Sequence, residues 1–179
     1  KMYKRLLKKF NFFNFLDHYP EFRLGSLLVA LLCTFLIVIA TFTQFKLYVL
    51  IIPVECFLHP INYFADIRTT SDFTMPYYYI PQIPAILFAG ALLGPNIGLM
   101  SVIIYIIAGL AGIPVFASGG GINYYTQLGF GYILGYSIGT FLTGKILSGP
   151  LNILKTLRAT FVGVLSIHFI GIIYLSALM

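Results

Sequence analysis

The sequence predicts an all-α, polytopic integral membrane bundle with five spans. Three observations predict it. Of 179 residues, 59% are hydrophobic and only 9% charged, and the mean hydropathy is +0.94. Soluble domains run about 45–50% apolar and about 25% charged. The apolar residues form continuous runs close to the roughly 20 residues that a helical span needs. They do not alternate with polar residues as the strands of a transmembrane barrel do. The cations gather at the ends of those runs, with Lys1, Lys4, Arg5, Lys8, Lys9 and Arg23 all ahead of the first one. This balance excludes a free soluble enzyme and a disordered chain.

Each element follows from its composition. Residues 1–23 are basic and aromatic, with Phe10, Phe12, Phe13, Phe15 and Phe22. They are expected to lie at the membrane interface, and the remainder, 24–179, to form the transmembrane domain. In a soluble chain such a basic run suggests nucleic acid. Beside apolar spans it points instead to anionic lipid of the bilayer, so no nucleic-acid partner is expected. The first span is Leu24 to about Phe42. Residues 43–81 form a long connection with Pro53, Pro60 and Pro76, and with Glu55, Asp66 and Asp72. Its apolar stretch Leu47–Ile52 either prolongs the first helix or lies in the interface. The second span runs from about Gln82 to Gly94, and a Gly94-Pro95-Asn96 turn leads into the third, about Ile97 to Val115. The fourth runs from about Leu128 to Leu147 and the fifth from about Leu157 to Met179. That last run reaches Met179 without a flanking anchor, so a further segment is expected.

Charge sets the expected topology. Lys145, Lys155 and Arg158 follow the fourth span, the 116–127 connection has no charge, and 43–81 has more acids than cations. Positive-inside then places the N-terminus and 145–158 in the cytoplasm, with 43–81 and 116–127 outside.

Several residue patterns bear on function. Small residues four apart share a helix face and admit a second backbone. Gly131/Gly135/Gly139, Gly90/Gly94/Gly98 and Ser26/Ala30/Thr34 are such stripes. Each either packs the bundle or meets a partner subunit. The first-span stripe is the stronger docking candidate, being small but not glycine. The run Ser118-Gly119-Gly120-Gly121-Ile122-Asn123-Tyr124-Tyr125-Thr126-Gln127 joins glycines to neutral polar groups on the outer side. Glycines allow inward folding and exposed backbone groups, while Asn and Gln offer donors and acceptors for an uncharged polar head. The competing reading is a plain surface loop. Gln82 either caps the second helix or reaches a ligand, and Tyr77-Tyr78-Tyr79 reads as an interfacial aromatic belt. His168 stands alone inside the fifth span, as a ligand group or a bond to a neighbouring helix. Cys33 reads as a small core residue. Neither the two cysteines nor His18 and His59 have metal-ligand spacing. No paired acids or HExxH occur, so no catalytic residue, metal or cofactor is expected.

The run Pro81-Gln82-Ile83-Pro84 through Leu87-Phe88-Ala89-Gly90-Ala91-Leu92-Leu93-Gly94-Pro95 resembles the second helix and turn of BioY proteins. These are biotin-specific S components of energy-coupling-factor (ECF) transporters. Ser101-Val102 to Tyr105, then Gly109-Leu110-Ala111-Gly112-Ile113-Pro114-Val115-Phe116-Ala117, is similar to the family's third helix and its ending. Gly119-Gly120-Gly121 and Gly129-Phe130-Gly131-Tyr132-Ile133-Leu134-Gly135-Tyr136 resemble its glycine loop and fourth helix. The resemblance is close over about 80–147 and loose in the fifth span. It implies a six-helix S component, of which five spans are present here, binding biotin from outside. It also implies a transmembrane coupling subunit and two cytoplasmic ATPase subunits as partners, with docking through the first helix at Ser26, Ala30 and Thr34. Two departures stand out. The 43–81 connection is longer than usual, and the family's sixth helix, with an Asp-Lys pair that contacts biotin, has no counterpart before Met179.

The expected ligand residues are Gln82, Gly119, Gly120, Asn123, Tyr124, Gln127 and Tyr132. Gln82, Asn123, Tyr124 and Tyr132 carry the expectation: amides for a ureido ring, tyrosines flanking the apolar part. The expected function is biotin uptake as an S component. The alternatives are an S component for another small vitamin and a structural membrane protein without a ligand. An integral-membrane enzyme is disfavoured by the missing acid/base groups.

Overall fold

The computed structural model describes residues 24–50, 58 and 74–179. The expected interfacial segment 1–23, together with Cys56, His59 and the acids of the 43–81 connection, lies outside the described residues. Two units are present, one built from the helices and one spanning Thr43–Pro81.

Helix α1 is Leu24–Phe42. Its buried residues are Ala30, Cys33, Thr34, Ile37, Ala40 and Thr41, a stripe at the three- and four-residue spacing of one helix face. Helix α2 is Gln82–Leu110 and is broken at Gly94, where φ is 76° and ψ is −178°. A side chain disfavours that conformation, and Pro95 begins the new arm, where its missing N–H costs nothing. The break is a reversal. Gln82 and Tyr105 are hydrogen-bonded at 2.9 Å, although a straight helix would hold them about 34 Å apart. Arms 82–93 and 95–110 therefore run antiparallel, turning where the Gly94-Pro95-Asn96 signal predicts. By rise alone they extend about 18 Å and about 24 Å, each less than the roughly 30 Å hydrocarbon core.

The second arm stops at Leu110, short of the expected Val115. Gly112 takes φ 103°, Ile113 N–H donates to the Ala108 carbonyl at 3.1 Å and Gly112 N–H to Gly109 at 3.2 Å. That pair of bonds is a Schellman ending, with Pro114 beyond to prevent continuation. A 3-10 turn, Ile122–Thr126, leads to helix α3, Phe130–Leu147, and then to α4, Ile153–Leu178. Helix α4 begins four residues before the expected start. Asn152 caps it by accepting from Leu154 N–H at 3.3 Å. Lys155 Nζ donates back to the Ser148 carbonyl at 2.6 Å.

The helices pack in a row: α1 on α2, α2 on α3 and α3 on α4. Close approach is made by glycine. A Cβ at Gly144 would come within 2.6 Å of the Gly94 and Pro95 backbone, and one at Gly98 within 2.9 Å of Gly90 Cα. At Gly135 it would reach the Ile167 carbonyl at 2.8 Å. The glycine stripes of the second and fourth expected spans thus pack this chain. Ile37, Ile86, Ala89, Val102, Tyr105, Phe116 and Ile167 are fully buried at the centre, and Cys33 is a buried free thiol as expected. Among the described residues, Leu24–Phe42, Gln82–Leu110 and Ile153–Leu178 are long and apolar enough to cross a membrane.

The second unit contains an antiparallel pair, β1 Phe45–Leu50 and β2 Thr74–Tyr79, in register from Phe45↔Tyr79 to Leu50↔Thr74. Leu47–Leu50 therefore does not prolong the first helix. Aromatic and β-branched residues favour a strand once a partner strand is available. Lys46 Nζ sits 5.3 Å from the centre of the Tyr48 ring, two residues along the same strand face.

Candidate functional site

The end of the bundle away from Gly94 holds a hydrogen-bonded cluster around Gln82. The Gln82 amide sits at the start of α2 and is bonded on three sides. Its Nε2 donates to Thr41 Oγ1 at 2.8 Å and to the Tyr105 hydroxyl at 2.9 Å. Its Oε1 accepts from the Tyr136 hydroxyl at 3.0 Å. Tyr105 passes its own proton to the Val115 carbonyl at 3.2 Å, and Thr41 donates to Ile37 at 2.9 Å. Both amide protons are thus used within the chain, and one lone pair of Oε1 remains. Four helical segments are tied through this single side chain. No charged group takes part.

An aromatic cluster adjoins the amide through Tyr105. The Tyr105 and Phe116 rings meet edge-on at 5.2 Å. Phe116 packs on Tyr124 at 4.5 Å and faces Phe130 at 6.5 Å. Phe130 reaches Tyr174 of α4 at 6.0 Å, and the Tyr174 hydroxyl bonds the Tyr125 carbonyl. This end is therefore lined by rings with hydroxyls at their tips, over apolar side chains.

The expected ligand residues fall into three groups. Gln82 and Tyr124 lie in the connected amide and aromatic cluster. The Gly119 backbone is engaged within the chain. Gly119 exchanges both its N–H and its carbonyl with Phe116, each at 3.0 Å, and Gly121 N–H donates to Gly109 at 2.7 Å. A Cβ at Gly120 would collide with the Ile113 carbonyl. The glycine run seals the end of α2, which is why it is glycine. Asn123 and Gln127 are exposed. The Asn123 carbonyl accepts from Thr126, and its side-chain amide has no partner among the described residues. Tyr132 packs on α4, with its ring 5.7 Å from that of His168 and against Gly171. Tyr136, one turn along, takes the place beside Gln82.

Two residues of the expected docking stripe have partners inside the chain. Ala30 is fully buried, and Thr34 Oγ1 donates to the Ser101 carbonyl of α2 at 2.8 Å. These two residues are used inside the chain, because a small side chain and a hydroxyl let α1 lie closely on the second arm of α2. Ser26 is partly exposed. Sequence reasoning missed Thr41, Tyr105 and Tyr136. Their signal was present: hydroxyl side chains inside apolar runs require a partner.

Comparisons with known proteins agree with one another. The family model described as the BioY family matches residues 16–179. A protein of Lysinibacillus sphaericus named "Probable biotin transporter BioY" is 35% identical over 96 residues, 52% of this chain and 49% of that protein. One of Pyrococcus horikoshii with the same name is 38% identical over 96 residues, 53% of this chain and 56% of that protein. The chain spans about half the length of these curated relatives, which are named as transporters and not as enzymes. A solved structure, the "S-component for biotin from an ECF-type ABC transporter", is similar with a TM-score of 0.61 and 26% identity. The similarity covers 85% of this chain and 71% of that one. A family match running through every described helix, on a helical membrane fold shared with that structure, means that the chain belongs to the BioY family.

Proposed function

We propose that this chain takes up biotin across the membrane as the substrate-binding S component of an energy-coupling-factor transporter. The observation that carries the reading is the likeness to a solved S component for biotin over 85% of the chain. The chemistry of the Gln82 end supports it. A neutral amide and tyrosine hydroxyls over an aromatic floor suit a ligand with an uncharged polar ring and an apolar body. Asn123, Tyr124 and Gln127 close over that ligand from the loop, and Gln82 acts from beneath by holding Tyr105 and Tyr136 in place. The energising partners are a transmembrane coupling subunit and two cytoplasmic ATPase subunits.

In this reading the chain crosses the membrane five times, with 24–179 as the transmembrane domain and 1–23 on the cytoplasmic surface. The Gly94 end faces the cytoplasm and the Gln82 end faces outward. Lys145, Lys155 and Arg158 support that orientation, since all lie toward the Gly94 end.

The test is calorimetry of the purified chain in lipid nanodiscs with biotin, thiamine and riboflavin, alongside labelled-biotin uptake with the coupling module. Saturable binding of biotin alone is expected. Binding of another vitamin instead assigns a different substrate, and binding of none makes this a structural membrane protein. In a Cys33→Ser, Cys56→Ser background, an impermeant thiol reagent should label Asn123→Cys but not Lys155→Cys in intact cells. The reverse pattern inverts the topology.

A further inference from the structure

The polar contacts of this end extend beyond the Gln82 cluster. On α3, Gly135 and Gly139 face α4, while Thr140 and Gly144 face α2. At about 100° per residue, Tyr132 and Tyr136 fall between those two directions. Both therefore lie inside the angle that α2 and α4 make about α3. The opposite side of α3 carries the exposed Leu134 and Ile138. Toward the Gly94 end the angle is closed, with the Leu87 side chain and Thr143 both against Gly163. Toward the other end Tyr136 meets Gln82 of α2 and Tyr132 meets His168 of α4.

His168 stands on the α4 wall of this wedge. It is exposed, its ring meets the edge of Tyr132 at 5.7 Å, and its Nδ1 is 2.9 Å from the Val164 carbonyl. A carbonyl only accepts, so Nδ1 carries the hydrogen. With Nδ1 donating, Nε2 is the ring nitrogen left to accept a hydrogen bond. Neither Nε2 nor the Tyr132 hydroxyl has a partner among the described residues. An imidazole nitrogen inside an apolar helix, among Leu165, Phe169 and Ile172, requires something polar to face it. Gln82 has both protons engaged within the chain, so it is poorly placed to be that partner or to read a ligand's N–H groups.

We propose that His168 and Tyr132 are the ligand-reading pair of this protein, with His168 Nε2 accepting from a ring N–H of the ligand and Tyr132 donating to the adjacent carbonyl. The ligand class is a cyclic urea or amide on an apolar body. This rests on the biotin reading above, in which the ureido ring is that group, and it makes His168 a specificity-determining residue.

The experiment measures binding to the full chain in nanodiscs, with biotin and with lipoic acid. Lipoic acid has the same acid-bearing chain and a sulfur ring, but no N–H. His168→Phe keeps a ring against Tyr132 and removes the acceptor. It should weaken biotin roughly tenfold to hundredfold and leave lipoic acid unchanged. His168→Gln places an amide oxygen near the Nε2 position and should recover biotin to within a few-fold. Tyr132→Phe should weaken biotin about tenfold. If the unaltered chain binds biotin and His168→Phe binds it equally well, the His168 assignment is overturned while the biotin reading stands. If the unaltered chain binds no biotin, both fall. Should the His168 variants not fold, unchanged affinity in Tyr132→Phe overturns the pair.

Discussion

The two ends of the helical bundle are held together by different physics. At the Gly94 end, backbones touch. Gly90, Gly98 and Gly144 bring both arms of α2 and helix α3 so close that a Cβ at any of them meets backbone atoms. At the Gln82 end, side chains bridge the helices with hydrogen bonds and ring contacts. The first arrangement is cheap in conformational entropy. The second contains polar groups that can exchange one partner for another. Backbone contact joins the row at the Gly94 end, and neutral polar groups and aromatic rings gather at the Gln82 end.

The sharpest way to break this contrast is Gly144→Val. Its Cβ would lie 2.6 Å from the Gly94 and Pro95 backbone, which no rotamer change relieves. A loss of about 3 kcal/mol is expected, the upper range for overpacking, and would show as a collapse of monodisperse yield in detergent. A normally folded protein would mean that the arms can separate at this end.

Gln82→Leu attacks the Gln82 end. Three hydrogen bonds vanish, and Tyr136 and Tyr105 each lose a partner. A destabilisation of about 1–3 kcal/mol is expected, read as a lower melting temperature. Bound biotin should recover less of the loss than it does in the unaltered chain. An unchanged melting temperature would show that the amide does not knit the helices.

Ala30→Leu distinguishes packing from docking. Ala30 is fully buried, so the larger side chain should cost about 1–2 kcal/mol, and binding and uptake should fall together. Loss of uptake with binding intact would return this face of α1 to a partner subunit.

The smallest stability effect is expected at Asn123→Ala. The residue is exposed, and such positions change stability within about 0.5 kcal/mol. Biotin affinity should nevertheless fall roughly tenfold, the lower range for a lost hydrogen bond. Equal affinity by calorimetry would make 122–126 a plain connecting turn.

The helical membrane class was legible in composition alone, because a chain this apolar has too few charges to cover a soluble surface. The reversal at Gly94 was legible too, since Gly-Pro-Asn combines a residue free to take positive φ with one that cannot continue a helix. The family was legible from the combined string of glycines and apolar residues between 81 and 136. Each of these depends on local conformation or on bulk hydropathy, which one segment carries by itself. Other features depended on where distant segments meet. Gln82 looks like a cap or a ligand residue until Thr41, Tyr105 and Tyr136 arrive from 41, 23 and 54 residues away. The first-helix stripe reads equally well as an inner or an outer face until Ser101 accepts from Thr34. Tyr132 and Tyr136 are one turn apart and chemically alike. Only the angle between α2 and α4 sends one to His168 and the other to Gln82. The partner of a polar side chain is a tertiary property, because a hydrogen bond is indifferent to sequence separation and acts over about 3 Å.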